Sequence, residues 1–444
     1  MATKIDFIDH LLLASANGQS PTTSKMIVGC NGNIFYGRYG SWAGTGSNVY
    51  DDSAAEITSV AAGQDWYVVD GTDLLKVAGS NGAVTTLTTG GAGEPPAGAR
   101  IVTRYYNCLV LARTTIDPQN WAMSAIGDYE DFDYSVLTPE GAVDGNDSDA
   151  GVIGDALTCL IPFRDQSLVM GCTDSVWVLK GHPRAGGRII SLARGGGIVG
   201  PWAFAHDPEG RLYYLSRTDL MVLDGAGSVP QSISLGRLSA FFSRLDFSLY
   251  RVRMAWDVPA KGLWIFFHKE SSAQVTHMFW DRTSDSFWPQ RFPNVHGPCA
   301  VRNLAGELFE DRQIVMGGFD GRLRTMAPGW RTDDGAAIAS HVKFAPIDLA
   351  APGEESVVNE FGAVLAAVAY PHCKLELFTG QNAQEGVADA SASISIDTTS
   401  TGRILSRTRA RGTVAVLKLS NTTLSKRWAF EQGYVNVKIG GKSR

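Results

Sequence analysis

Two glycine-rich segments contain the residue types that hold phosphate groups in nucleotide-binding proteins. Residues 195–200 (GGGIVG) fit the spacing Gly-x-Gly-x-x-Gly after an apolar run, and residues 440–443 (GGKS) match the end of a phosphate-binding loop. Such sites need a helix directly after the glycines, because the N–H groups of its first turn hold the anion. Pro201 follows the first segment, and Asn436 stands where the second motif needs its first glycine. We therefore interpret residues 195–200 as a connecting loop and expect no cofactor.

An acidic segment has the partial spacing of a calcium-binding loop. Its candidate ligands are Asp144, Asn146, Ser148 and Asp155, but Asp149 stands where the sharp turn of such a loop needs glycine. The favoured interpretation is a solvated acidic loop, and calcium binding is the alternative.

Other residues match parts of a metal site or of a hydrolytic site. His296 and Cys299 form a single His-x-x-Cys pair, without a second pair at metal-ligand spacing. Paired carboxylates could hydrolyse glycosidic bonds. The acidic candidates, all in polar clusters typical of turns, are Asp51, Asp52, Asp333, Asp334, Glu354 and Glu355. We predict no metal and no enzymatic activity, with a hydrolase, such as a glycosidase or depolymerase, as the alternative.

The elements that must position these residues are β-strands, because the chain repeats one strand–turn–strand unit. The best example is residues 211–224 (RLYYLSRTDLMVLD), in which two runs of consecutive apolar residues flank a polar turn. A hairpin with consecutive apolar residues needs cover on both faces. The radial blades of a β-propeller provide that cover for every hairpin.

The repeat of this unit predicts the fold class. Similar units start at residues 25, 65, 105, 167, 211, 262 and 313, at intervals of 40 to 62 residues. A four-stranded propeller blade needs about 40–50 residues. We predict an all-β protein in which residues 25–330 form a β-propeller of six or seven blades. Residues 1–24 are predicted to be an N-terminal arm that contains at most a short amphipathic helix.

The pattern changes after residue 330 and predicts a C-terminal β-sandwich-like domain at residues 331–444, a suitable length for one sandwich. The strand-like runs are residues 337–344, 361–370, 373–379, 391–396, 413–419 and 434–439. Residues 380–390 and 398–412 are predicted to be loops.

The charge of the chain is unevenly distributed. Residues 402–444 contain ten Lys or Arg and one acidic residue, so this segment carries +9 and the rest of the chain −15, for a total of −6. An acidic body repels nucleic acid, whereas a basic segment can bind an acidic partner. The predicted interface residues are Arg407, Arg409, Arg411, Lys426 and Arg427. The alternative is that these side chains are simply solvated on exposed strands.

The remaining composition favours a soluble protein made in the cytosol. The first twenty residues lack the basic start and long apolar run of a signal peptide. No apolar run approaches the ~20 residues of a membrane-spanning helix. The six cysteines are far apart and mostly lie in apolar runs, which predicts reduced thiols in the core.

Several segments resemble the β-propeller tail proteins of short-tailed bacteriophages, known as nozzle or tail tubular proteins. The matching segments are residues 120–124 (NWAMS), 127–132 (GDYEDF), 160–165 (LIPFRD), 168–171 (LVMG), 175–177 (SVW), 197–201 (GIVGP), 212–216 (LYYLS) and 428–437 (WAFEQGYVNV), followed by Gly440, Gly441 and Arg444. None of these segments is a catalytic signature.

The resemblance implies a structural virion protein, located in the viral tail and assembled in the cytoplasm of the host bacterium. It implies a homohexameric nozzle ring that extends the DNA-ejection channel, contacts the tail adaptor protein and anchors tail fibres or spikes and the tip. Genomic DNA would pass through the lumen without sequence-specific binding, and acidic propeller surfaces there would repel its phosphates. A soluble propeller scaffold is a further alternative.

Overall fold

The computed structural model describes residues 4–13, 23–38, 41–46, 48–53, 56–87, 93–164, 166–269, 275–292, 297–304, 313–326, 331–351, 354–368, 371–387 and 393–442. The chain divides into two compact units, Met1–Pro328 and Gly329–Arg444. In the described residues, no helix combines the length and the apolar character that crossing a membrane requires.

The first unit is a β-propeller built from antiparallel sheets that follow one another along the chain, each sheet being one blade. Blade 1 contains β1 (Ile5–Leu13), β2 (Thr23–Cys30), β3 (Asn33–Arg38) and β4 (Ser41–Gly46); blade 2 contains β5 (Thr58–Ala62), β6 (Asp65–Val69), β7 (Leu74–Ala78) and β8 (Val84–Thr86); blade 3 contains β9 (Ile101–Tyr105), β10 (Cys108–Ala112), β11 (Trp121–Met123) and β12 (Val143–Asp144); blade 4 contains β13 (Leu157–Pro162), β14 (Ser167–Cys172), β15 (Ser175–Lys180) and β16 (Arg188–Arg194).

Three further blades complete the propeller. Blade 5 contains β17 (Phe204–His206), β18 (Leu212–Leu215), β19 (Leu220–Leu223) and β20 (Gln231–Ser232); blade 6 contains β21 (Tyr250–Asp257), β22 (Gly262–Lys269), β23 (His277–Asp281) and β24 (Ser286–Gln290); blade 7 contains β25 (Ala300–Asn303), β26 (Ile314–Gly317) and β27 (Leu323–Thr325). A 3₁₀ turn at Pro183–Ala185 follows β15, and a short helix, α1 (Ser239–Phe242), follows β20.

The hairpin at residues 211–224 is confirmed as the centre of blade 5. Leu212 pairs with Leu223, and Leu215 pairs with Leu220. The Ser216 hydroxyl closes the turn, since it accepts from the Asp219 N–H at 3.0 Å and donates to the Asp219 carbonyl at 2.9 Å. All four residues of β18 are buried, as expected for a strand with neighbouring blades on both faces.

The other predicted hairpins coincide with the second and third strands of the remaining blades, from β2–β3 to β26–β27. The all-β class and the propeller are therefore confirmed, and the described residues form seven blades. Tight turns follow the expected chemistry: Asn31 and Gly32, between β2 and β3, both have positive φ, at 53° and 72°.

Blade 7 packs against blade 1 and closes the ring. Ile5 and Ile8 of β1 share one apolar cluster with Ala300 and Val315 of blade 7. The Ile5 N–H donates to the Gly318 carbonyl at 3.2 Å. Closure depends on a small residue in β26, because a Cβ added at Gly317 would lie 2.5 Å from Ile5 Cγ2.

The prediction that residues 1–24 form a separate arm with at most a short helix is wrong for Ile5–Leu13, which form the first strand of blade 1. Ile5, Phe7 and Ile8 are almost fully buried, so β1 has apolar contacts on both faces. The sequence signal for a strand is weak because Asp6, Asp9 and His10 interrupt the apolar run. In the fold, Asp6 accepts a hydrogen bond from the Tyr50 hydroxyl at 2.7 Å, and Asp9 accepts one from the Arg302 guanidinium at 2.9 Å.

The second unit is a two-sheet sandwich. Its strands are β28 (Thr332–Asp333), β29 (Ala336–Ala337), β30 (Ser340–Lys343), β31 (Ile347–Asp348), β32 (Glu354–Leu365), β33 (Cys373–Gly380), β34 (Ser393–Thr398), β35 (Gly402–Gly412), β36 (Val414–Asn421) and β37 (Phe430–Lys442), with one short helix, α2 (Ala383–Val387). β28 and β29 form a hairpin; one sheet has the order β30-β36-β33-β34 with β31 beside β36, and the other has the order β35-β32-β37.

One apolar core lies between these two sheets. Phe361 and Ile404 contribute from the three-stranded sheet, and Leu375, Leu377 and Leu417 from the five-stranded sheet. The predicted sandwich-like domain is thus confirmed. The predicted loop at residues 398–412 is wrong, because Gly402–Gly412 form β35.

Candidate functional site

The predicted interface arginines lie on β35, an edge strand of the three-stranded sheet within the described residues. The strand alternates regularly: Ile404 faces the core, whereas Arg403, Arg407, Arg409 and Arg411 are exposed. The sequence folds this way because a small or apolar residue occupies most of the inward positions.

Lys438 of β37 extends the same charged surface. Lys438 and Arg411 both pair with Val357 of β32, so their side chains flank Val357 on one face of the sheet. We call the surface formed by Arg403, Arg407, Arg409, Arg411 and Lys438 the basic sheet face. The side chain of Lys438 is exposed and has no hydrogen bond or ion pair to a described residue.

The five cations differ in their contacts. Arg403 donates to the Tyr434 hydroxyl at 3.2 Å and lies 3.8 Å from the Glu360 carboxylate, and its guanidinium stacks over the Tyr434 ring. The side chains of Arg407, Arg409 and Arg411 have no hydrogen bond or ion pair to any residue that the structure describes. Three guanidinium groups with donors in a fixed fork geometry are thus available for carboxylates or phosphates.

The structure places the other two predicted interface residues elsewhere. Lys426 and Arg427 lie in the turn that precedes β37, where the Lys426 carbonyl accepts from Asn421 and the Arg427 carbonyl accepts from the His372 N–H. Both residues take part in further interactions of the fold. Sequence reasoning missed Arg403 and Lys438; their alternation with inward residues of the same strands was the available signal.

A second candidate site is the central channel of the propeller. A cavity of about 620 Å³ is lined by the first strands of blades 1 to 3, including His10, Ser59 and Arg104, together with Trp202 and Arg302. A neighbouring cavity of about 320 Å³ shares His10, Trp202 and Arg302 with the first. The two cavities therefore adjoin one another beside the first strands of the blades.

Two of the arginines that line the channel form ion pairs with carboxylates that do not line it. Arg302 donates to Asp9 at 2.9 Å and lies over the Trp202 ring, with 5.0 Å between the guanidinium carbon and the ring centre. Arg253, which lines the smaller cavity and is 4% exposed, forms an ion pair with Glu56. Burial lowers the pKa of His10, so burial favours the neutral imidazole.

The six carboxylates considered for glycoside hydrolysis lie outside the two channel cavities. None of Asp51, Asp52, Asp333, Asp334, Glu354 and Glu355 lines either channel cavity. The side chain and the N–H of Ser53 donate to Asp51 and lower its pKa, whereas the acid of a glycosidase has a raised pKa. Glu355 accepts from Gln381 at 2.8 Å.

The acidic loop at residues 144–155 uses its candidate ligand oxygens for hydrogen bonds within the protein. Asp144 accepts from the Asn120 amide at 2.9 Å, Asn146 accepts from the Ile153 N–H at 3.1 Å, and Asp155 accepts from the Ser175 hydroxyl at 2.7 Å. These bonds fix the loop between β12 and β13. No cluster of three potential metal ligands is present among the residues the structure describes.

The remaining motifs have structural positions. Residues 195–200 connect β16 to β17 and no helix begins there, as the sequence predicts. His296 lies outside the described residues, and so does residue 443 of the GGKS segment. Burial raises the pKa of the Cys108, Cys172 and Cys299 thiols to about 12, so these groups are unreactive at neutral pH.

No family model and no curated protein matches this sequence. Among solved structures, the extracellular domain of a hybrid two-component system from B. thetaiotaomicron has a TM-score of 0.49 and 10% identity, over 86% of this chain and 43% of that chain. YCF48 from Cyanidioschyzon merolae has a TM-score of 0.45 and 12% identity, over 74% of this chain and 96% of its own.

PorZ, an essential surface component of the type-IX secretion system of Porphyromonas gingivalis, has a TM-score of 0.40 and 12% identity over 74% of this chain. The chain spans less than half the length of the first three solved structures that it resembles. At this level of similarity none of these structures assigns a function to the chain.

Proposed function

We propose that this protein is a structural component of a bacteriophage tail, a nozzle ring that extends the DNA-ejection channel and anchors tail fibres and the tip. The observation that carries the proposal is the row of exposed, unpartnered arginines at Arg407, Arg409 and Arg411 on an edge strand. Such a row suits a protein that binds other proteins along an extended surface. The resemblance to tail nozzle proteins supplies the biological setting.

Charge complementarity favours a second copy of this chain as the occupant of the basic sheet face. Residues 1–328 contain 26 Lys or Arg and 34 Asp or Glu, a net charge of −8, whereas residues 329–444 carry +2. The basic sheet face of the second unit and the net negative charge of the propeller favour a head-to-tail contact between copies, and repeating that contact by rotation would close a ring. The expected ring is a homohexamer, in contact with the tail adaptor on one side.

In this proposal the acidic propellers face the lumen, where like charge repels the phosphates of the passing genome. The proposed role requires no catalytic group. The rival role, a propeller hydrolase, requires two carboxylates at a common cavity, and the described residues that line the channel include no Asp or Glu.

The test is the oligomeric state of the purified full chain, measured by light scattering at low and high salt. The wild type should form a ring of defined mass that dissociates as salt screens the contact. The triple variant Arg407→Glu, Arg409→Glu and Arg411→Glu should be monomeric at low salt.

The matched control is the triple variant Arg188→Glu, Arg217→Glu and Arg244→Glu, which makes the same change of net charge at exposed propeller arginines. It should assemble like the wild type. A monomeric wild type, or equal assembly of the two triple variants, contradicts the proposed contact. Immunogold labelling of this chain on purified virions should mark the tail tip, and label on the capsid alone contradicts the nozzle role.

A further inference from the structure

The negative charge of the propeller is concentrated in one part of blade 3. Residues 114–163 contain ten of the 34 Asp or Glu residues of the first unit and none of its 26 Lys or Arg residues. Three loops make up most of this segment, at residues 114–120, 124–142 and 145–156. Nine of the ten acidic residues lie in these loops, which we call the acidic loops.

The acidic loops lie together on the outside of the propeller. Asn146 of the third loop donates to the Gln119 carbonyl of the first at 3.3 Å. The Arg184 guanidinium of blade 4 holds the second loop, since it donates to the Tyr134 and Ala142 carbonyls at 3.0 Å and 2.9 Å. β12, which connects the second and third loops, is the outermost strand of its blade, whereas β9 at the other edge lines the channel. No residue of the acidic loops lines either channel cavity.

Large apolar side chains are exposed among these acidic residues. Ile116 is 97% exposed, Leu137 78% and Val152 63%, so each acidic loop presents one. Single exposed apolar residues are ordinary, but a group of them within one charged surface is typical of a surface that another protein covers. The composition of the acidic loops therefore indicates a protein partner that is basic and partly apolar.

The basic sheet face has this complementary composition. The guanidinium groups of Arg407, Arg409 and Arg411 are exposed on β35. The side chain of Leu405 is 46% exposed on the same face, because it alternates with the buried Ile404. Opposite charges that flank exposed apolar side chains on both surfaces favour binding of one surface to the other.

We propose that the acidic loops of one copy bind the basic sheet face of the next copy in the ring. The inference rests on the proposed ring and names the propeller surface that the basic sheet face contacts. The carboxylates available for it are those of Glu140, Asp147 and Asp149, which are exposed and have no hydrogen bond or ion pair to a described residue. The contact is heterologous, so every copy uses both of its surfaces.

Charge reversal in the acidic loops tests the contact by light scattering of the purified full chain at low salt. The triple variant Glu140→Lys, Asp147→Lys and Asp149→Lys should be monomeric, because the contact would then join two basic surfaces. The matched control makes the same change of net charge at exposed carboxylates elsewhere on the propeller and should assemble like the wild type. Its substitutions are Asp52→Lys, Asp73→Lys and Asp224→Lys.

Mixing two reversed variants tests whether these two surfaces bind each other. The partner variant is Arg407→Glu, Arg409→Glu and Arg411→Glu, in which both surfaces are acidic, whereas both are basic in the acidic-loop variant. Neither should assemble alone. An equimolar mixture should form an alternating ring with the mass of the wild-type ring, since a hexamer has an even number of copies.

Leu137→Ser tests the apolar part of the contact. It should raise the protein concentration at which the ring half-dissociates by about tenfold or more, because the leucine side chain leaves water on assembly. Leu235→Ser, at a residue of the propeller that is 72% exposed, is the control and should assemble like the wild type. Equal assembly of the two variants contradicts the role of Leu137.

The outcomes separate this inference from the proposed function. If the acidic-loop variant forms a ring while the arginine variant is monomeric, the inference is overturned and the basic sheet face remains a contact. A mixture that stays monomeric, although unfolding temperatures show both variants to be folded, also overturns the inference. A monomeric wild type contradicts the proposed ring and this contact together.

Discussion

His277 is one of several buried histidines that make the propeller sensitive to acid. It is 1% exposed, and its Nδ1 accepts from the Phe267 N–H at 3.1 Å, so the ring is neutral in the fold. The rings of Phe266 and Phe292 pack beside it, with ring centres 5.8 Å and 5.2 Å away. Burial lowers the pKa of His277 to about 4. Protonation would therefore place a charge in an apolar environment.

We expect the free energy of unfolding to fall as pH decreases from about 6.5 to about 4. The unfolded chain binds a proton at His277 near pH 6.5, while the folded chain binds it only near pH 4, so lower pH favours unfolding. The loss attributable to this residue is at most about 3 kcal/mol. Denaturant titrations across this pH range measure it.

His277→Gln keeps a side chain that can accept a hydrogen bond from the Phe267 N–H but removes the titratable imidazole. The number of protons taken up on unfolding at pH 5 should therefore decrease by about one per molecule. The control is His341→Gln, at an exposed histidine of the second unit, which should leave the unfolding of the propeller unchanged. An identical pH dependence in wild type and His277→Gln would show that this histidine does not control acid sensitivity.

At the scale of elements, the junction between β1 and blade 7 decides whether the propeller is closed. The strands meet through Ile5, and the absence of a side chain at Gly317 makes their close approach possible. Closure here joins the first and last blades, which are separated by nearly 300 residues of sequence. Contacts of such high sequence separation are costly in chain entropy and must be stabilised by dense packing.

Gly317→Ala should destabilise the propeller by about 1–3 kcal/mol, because the new methyl group would overlap Ile5 Cγ2. Hydrogen exchange should accelerate in β1 and β25 before it does so in blades 3 and 4. Gly154→Ala is the control, since an added Cβ there meets nothing within 4 Å. Equal stability of the two variants contradicts the role of this junction.

At the scale of the whole molecule, the chain contains separate cores in its two units. The core between the sheets of the second unit, which includes Phe361 and Leu417, contains only residues of that unit. The largest core of the propeller contains residues of blades 4, 5 and 6, among them Tyr213 and Phe267. Units with separate cores are expected to unfold separately.

Calorimetry should therefore show two unfolding transitions. Phe361→Ala should lower only the unfolding temperature of the second unit. Its free energy of unfolding should fall by about 3–5 kcal/mol, because the ring is fully buried and its removal leaves a cavity. Phe267→Ala should lower only the unfolding temperature of the propeller. A single transition that shifts in both variants would show that the two units unfold together.

Local residue patterns account for what the sequence determined by itself. Consecutive apolar residues in Leu212–Leu215 and Leu220–Leu223, together with turn residues between them, specify hairpins buried on both faces. The regular spacing of such hairpins specifies a propeller, and alternation in the C-terminal segment specifies a sandwich. The exposed arginines of the predicted interface also follow from the sequence. The sequence nevertheless predicts a loop where β35 lies, because this strand contains many polar Arg and Thr residues and few core residues such as Ile404.

Tertiary structure alone decided the features that depend on residues far apart in the chain. Residues 5–13 belong to the propeller because blade 7 covers Ile5 and Ile8, a contact that no local pattern encodes. The charges of the channel also depend on contacts between residues far apart in the sequence. Arg302 forms an ion pair with Asp9, which lies near the other end of the first unit in sequence, whereas the Arg104 side chain has no such partner among the described residues. Pairing of charges depends on which strands ring closure brings together, and local sequence carries no information about that closure.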